Sequence, residues 1–271
     1  MAQYYYLVSS LPDIFLDAPK QKEISSLEIL RDFEEHLAKE DLLLLDIFRA
    51  PFDNFNLITL LKDLPREFDR RGKFTKDELE SFIKTGGGPS YIEEFLNIRR
   101  EGKNIFPGMI EEDILNLLFY EEVIQHPNSF VSEWFYFERS IKNFLVALSF
   151  RKYKKTLPLE KLIIGHDEIT QSILKSSSSD FSLGNLYPWV EKIVSIPANE
   201  LVKREKIIDE IKWEKLDELS YLYHFGVETL LAFFVKFCIA ERWMKLDPVE
   251  GKKKFENLIS VLTQNKAIKI A

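Results

Sequence analysis

Cysteine is almost missing from this chain: Cys238 is the single one in 271 residues. No intramolecular disulfide can form, which fits a reducing compartment, and Cys238 sits beside Phe237, Ile239 and Ala240 as a small core hydrophobe. Glycine is scarce, at 10 residues, which argues against a fold built on tight β-turns. Positive excess is lacking too. The formal net charge of −7 repels phosphate backbones and excludes nucleic acid as a general partner. No long apolar run exists: the stretch from Leu230 to Ala240 is interrupted by Lys236 and is too short to span a bilayer. The start, MAQYYYLVSSLPD, has neither a basic region nor a long apolar one, so no signal peptide is expected and the expected location is the cytoplasm.

What is present is a folding composition, 45% hydrophobic and 13% aromatic, with 22 phenylalanines. The pattern is helical. Ser25-x-x-Glu28, Thr75-x-x-Glu78 and Ser90-x-x-Glu93 read as helix starts of the capping-box type. Asp41 to Arg49 is expected to end before Pro51, and Asp53 or Asn54 to cap a short helix through Lys62. Further helices are expected over Glu111–Gln125, Lys161–Lys175, Pro188–Ser195, Pro197–Leu219 and Val227–Lys245, and a final one from Asp247-Pro248 to about Thr263. The longest runs from Trp134 to Lys155, with Trp134, Phe137, Ile141, Phe144, Leu145 and Leu148 on one stripe and a basic end at Arg151, Lys152, Lys154 and Lys155. Tyr4 to Val8 is β-prone and predicts one short strand or extended segment. Ser176 to Ser179 with Asp180 reads as a flexible loop. The fold class is all-α.

Chemistry-bearing motifs are weak. His166-Asp167-Glu168 point in different directions around a helix, and an N-cap Asp167 accounts for the string. Glu122 and His126 share a face but end at Pro127. A helical enzyme would need Glu122, His126 and His166 to converge. Gly86-Gly87-Gly88-Pro89-Ser90 lacks the Lys-Ser/Thr of a phosphate loop, and no Gly-x-Ser-x-Gly elbow occurs. Neither a catalytic site nor a cofactor is expected. The Lys252–Lys254 run reads as solvated charge.

Two stretches are variations on one theme. Phe52 to Lys62 and Phe137 to Leu148 each begin with an aromatic and an acid, Asp53 or Glu138. Each continues through an asparagine, Asn56 or Asn143, into an aliphatic helical run with basic residues after it, Lys62 or Arg151 and Lys152. A third, Phe225 to Arg242, carries Glu228, Lys236, Glu241 and Arg242 without the asparagine. This acidic–Asn–aliphatic–basic signature resembles that of the C/d-type stalk family of V-type and A-type ATPases. The opening YYYLVSSLPD is similar to an uncharacterised bacterial family encoded among V/A-type ATPase genes, in which the protein takes the place of the C/d-type component.

The resemblance implies three related lobes, roughly 1–85, 86–175 and 180–271, in one funnel-like helical domain spanning 1–271. It implies a non-catalytic rotor spacer that contacts central-stalk subunits and the membrane rotor ring, peripheral to the inner membrane. The alternative is a helical scaffold or adaptor with an unrelated partner. Asn56, close to Asp53 and Asn54, suits either a cap or a buried bond. Mid-helix Asn143 predicts an inter-helix hydrogen bond.

Overall fold

In the computed structural model, residues 3–16, 24–102, 106, 108–153, 158–197 and 200–245 are described. Among them are eleven α-helices and no strand: α1 Tyr5–Ser10, α2 Ser26–His36, α3 Lys39–Leu61, α4 Lys76–Thr85, α5 Ser90–Glu101, α6 Glu111–Val123, α7 Ser129–Tyr153, α8 Glu168–Lys175, α9 Pro188–Val194, α10 Leu201–Ser220 and α11 Val227–Lys245. The expected helix after Asp247, the Lys252–Lys254 run, Lys154 and Lys155 lie outside the described residues.

Local chemistry accounts for several boundaries. Ser25 and Thr75 form reciprocal capping boxes with Glu28 and Glu78. Asp167 caps α8 by accepting from the Thr170 amide. Ser90 behaves differently from its expected role. Pro89 takes the N-cap position, Ser90 Oγ donates to Glu122, and Glu93 instead accepts from the Gly87 amide at 2.7 Å. Pro51 does not stop the helix: α3 runs 23 residues through it. The ring sits on the exposed side of α3, where the carbonyl deprived of its helical partner can turn to water. As a result Asp53 and Asn54 lie inside a helix and are buried rather than capping one.

The expected N-terminal strand is a helix, α1. No strand among the described residues is there to pair with it, so an extended segment would leave its amides unsatisfied. The entry to α1 is tied down by Tyr4. Its amide donates to the Phe225 carbonyl at 2.8 Å, and its hydroxyl donates to Asp41 and accepts from the Ala38 amide. Burial and Asp41 push the phenol up to about 12, so it stays a donor.

Five long helices close on themselves. α3 packs on α6, α6 on α7, α7 on α10, α10 on α11, and α11 back on α3. Each carries a shorter neighbour: α4 on α3, α5 on α6, α8 on α7, α9 on α10 and α2 on α11. Phenylalanines fill the middle. Phe48 of α3 reaches across to Phe130 and Phe135 of α7, with ring centroids 5.8 and 5.1 Å away, and Phe119 of α6 meets Phe135 at 5.1 Å. One hydrophobic core runs from Leu7 to Phe237. α7 therefore buries more than its stripe: Phe130, Val131, Phe135 and Ala147 are enclosed as well.

Candidate functional site

The most distinctive feature is a buried polar framework on α3 and α7 that fixes the loops after them. Burying an amide costs free energy unless both its ends are paired. Asn56 is fully buried and spends both ends on one residue. Its Nδ2 donates to the Asp69 carbonyl and its Oδ1 accepts from the Asp69 amide, each at 2.8 Å. One turn earlier, Asp53 accepts from the Lys73 and Phe74 amides at 3.0 and 3.1 Å. A further turn back, Arg49 donates to the Arg71 and Gly72 carbonyls and to Glu34. One helix face thus holds residues 69–74, immediately ahead of the Thr75 cap. Burial pushes the Asp53 carboxyl up to about 6, against the pull of the two amides and Arg49.

Asn143 repeats the arrangement. Its Nδ2 donates to the Ile164 carbonyl at 2.6 Å and its Oδ1 accepts from the Ile164 amide at 2.9 Å. Its Nδ2 also lies 3.3 Å from Thr170 Oγ1 of α8. One turn earlier Arg139, buried, pairs with Asp167, the cap of α8. The inter-helix bond expected of Asn143 is mainly a helix-to-loop clamp. Each clamp also includes a glycine where backbone meets charge. A Cβ on Gly72 would collide with Asp53 Oδ1, and one on Gly165 would lie 2.7 Å from Arg139 Nη1. Gly165 has φ +93°, which a side chain rarely tolerates.

The other signature residues join helices. Lys62 pairs with Glu112 of α6 at 2.8 Å and with Glu111 at 3.6 Å. Glu138 does not match Asp53 in role; it pairs with Lys212 of α10 at 2.7 Å. Arg151 donates to the Ser176 and Ser178 carbonyls and lies 3.6 Å over the Phe181 ring. The serine run is therefore an anchored loop, tightened by Asp180, which accepts from Ser178 Oγ and the Ser182 amide. Lys236 pairs with Asp217 of α10. Arg242 pairs with Asp209, which also accepts from Trp243 Nε1 at 2.6 Å. Glu241 accepts from the Ser26 hydroxyl and amide at the start of α2. Burial alone would raise that carboxyl, but Ser26 and Lys245 outweigh it and hold it below the usual range.

Sequence reasoning missed Arg49 and Arg139. Their only signal is position, two turns and one turn ahead of an asparagine on the same helix face. Asn128 was missed as well; it accepts from the Val131 amide and donates to buried Glu228 at 3.0 Å, joining the start of α7 to α11.

Glu122, His126 and His166 have separate occupations. Glu122 accepts from Ser90, His126 Nδ1 accepts from the Asn128 amide, and the His166 carbonyl accepts from Gln171. Among the described residues no three His, Cys, Asp or Glu side chains come together to hold a metal ion. Burial pushes the Cys238 thiol up to about 12, so it is not a ready nucleophile. No helix among the described residues is long and apolar enough to cross a membrane.

A family model described as "Protein of unknown function (DUF2764)" matches residues 1–266. The chain belongs to the DUF2764 family. No curated protein and no solved structure matches it. Because the DUF2764 match spans both clamps, the framework lies within the family's own extent.

Proposed function

We propose that this DUF2764 protein is a non-catalytic spacer in the central stalk of a V/A-type ATPase, coupling the soluble head to the membrane rotor ring from the cytoplasmic side of the inner membrane. The observation that carries this reading is the repeated clamp. Asn56 and Asn143, members of the signature that resembles the C/d-type stalk family, do the same work on two separate loops. A part that passes torque must not let its loops shear against its helices, and a close-packed interior held by side-chain-to-loop hydrogen bonds transmits strain. Phenylalanines fill the centre of the helical cycle, so on this reading the stalk would seat on an outer face.

The scaffold reading has one observation of its own. Tyr6, Tyr221 and Leu222 are 84%, 73% and 80% exposed, on α1 and on the α10–α11 loop that contacts it through Tyr5 and Phe225, rings 4.5 Å apart. An uncovered aromatic end of this kind suits a protein partner of any sort. Affinity purification from the native cell separates the two readings. Co-elution of stalk and rotor-ring proteins is the expected result. Recovery of unrelated proteins alone, with the ATPase intact, overturns the spacer.

A further inference from the structure

A cleft of about 430 Å³ opens between α7, the segment entering α9, and α10. Its size falls within the range of about 300–1,000 Å³ usual for small-molecule sites. Its walls are aromatic: Tyr136 and Phe137 come from α7, Tyr187 and Trp189 from the start of α9. Glu133, one turn before Phe137, and the Lys215–Glu218 pair of α10 supply the charge.

Aromatic faces attract cations, and two built-in cations already use this cluster. Lys215 Nζ lies 5.9 Å from the Phe137 centroid and pairs with Glu218 at 2.8 Å. The Arg139 guanidinium lies 5.2 Å from the Tyr136 centroid and pairs with Asp167. Each is neutralised by its own carboxylate. Three groups have no charge partner, although Trp189 also packs edge-on against Phe137 and Phe144. Glu133 is exposed and has no charge or hydrogen-bond partner among the described residues. The rings of Tyr187 and Trp189 line the cleft, half-buried, with no cation over either among the described residues. An apolar cage with one surplus negative charge at its rim selects a ligand that is greasy and positive.

We propose that this cleft binds an organic cation, an alkylammonium or guanidinium group on a compact apolar body. Tyr187 and Trp189 take the cation and Glu133 balances its charge. The inference is independent of the spacer reading. It is tested by titrating choline into the full chain beside the neutral alcohol in which carbon replaces the quaternary nitrogen, followed by tryptophan fluorescence and ligand-observed NMR. Choline is expected to saturate and to bind at least about tenfold tighter than its neutral counterpart. Glu133→Gln, an exposed change that leaves the core untouched, is expected to weaken choline about threefold or more and to leave the alcohol unaffected. Trp189→Leu is expected to weaken both. Equal affinity for the two probes overturns the proposal, as does absence of saturation by choline or an unchanged affinity in Glu133→Gln. A peptide carrying trimethyllysine, tested as a competitor, separates the sources: displacement of choline at lower concentration than free choline itself requires points to a partner's side chain, and weaker displacement to a free small molecule.

Discussion

Asn143 and Ile164 are joined by both ends of one amide, with the Ile164 carbonyl accepting and its amide donating at 2.6 and 2.9 Å. A side chain in the middle of a 25-residue helix thereby supplies the backbone pairing that the turn into α8 lacks. Asn143→Leu keeps the volume and removes both bonds. It leaves the buried Ile164 amide unsatisfied and its carbonyl with only the 3.4 Å bond from Thr170 Oγ1, and is expected to cost about 1–3 kcal/mol in denaturant unfolding. Asn56→Leu is expected to cost a similar amount through Asp69. A leucine variant that unfolds at the wild-type midpoint would show that the clamps bear no load.

Glycine substitutions separate crowding from backbone strain. Gly165→Ala forces a side chain at φ +93° against Arg139, and Gly72→Ala forces one against the Asp53 carboxylate. Gly87 also has φ +93° but meets nothing within 4 Å. Gly87→Ala should cost only the conformational penalty of about 1 kcal/mol. Gly165→Ala and Gly72→Ala should each cost about 2 kcal/mol or more. Thermal melts of the three variants give the order; equal losses would remove any role for the close approach.

The pH dependence of stability carries a signature of Asp53. Its folded-state carboxyl is raised to about 6 by burial, above the ordinary 3.8. A raised value means that the folded state holds the proton more tightly. This contribution is fully present below the unfolded value and is lost as pH rises through about 6. Through this group the protein should be about 1 kcal/mol more stable at pH 5 than at pH 7. Asp53→Asn should abolish that difference, whatever it does to stability itself. Paired denaturation curves at the two pH values test this, and an undiminished difference in the variant would assign the dependence elsewhere.

How far the sequence revealed all this depends on how local the responsible physics is. The starts at Ser25 and Thr75 were legible because a capping box is complete within four residues. The start of α11 at Val227 was legible to the residue, since its apolar run opens after Gly226 with Glu228 in the first turn. Pro51 was misleading because a proline's cost depends on which side of the helix faces water, and only packing decides that. Tyr4–Val8 has strand-forming residues, but among the described residues no strand lies beside it as a partner. Asn143 stood out as a mid-helix amide costly to bury, and Asn56 as its counterpart in the repeated signature, where a cap was an equal reading. Their targets, at separations of 13 and 21 residues in different kinds of loop, have no sequence pattern. Glu138 was matched with Asp53 by its chemical type, whereas Arg139 next to it faces the loop.

Arg151 holds the serine-rich loop by its carbonyls and by stacking on Phe181. Arg151→Ala should free Ser176–Ser182 without unfolding the core. Limited proteolysis is expected to cut there about tenfold faster or more, with the unfolding midpoint shifted only slightly. Lysine carries the charge but lacks the planar fork, so Arg151→Lys should resemble alanine. Resistance equal to wild type in both variants would mean that the loop's own Ser178–Asp180 bonds suffice.

A spacer that couples rotor to head is best probed by ion pumping in membrane vesicles from cells lacking this chain. ATP hydrolysis by the soluble head is expected to persist while ATP-driven ion transport is lost. Adding back the purified protein should restore transport, and the Asn56→Leu, Asn143→Leu double variant should restore it poorly. Transport that runs at the wild-type rate without the chain would rule the spacer out.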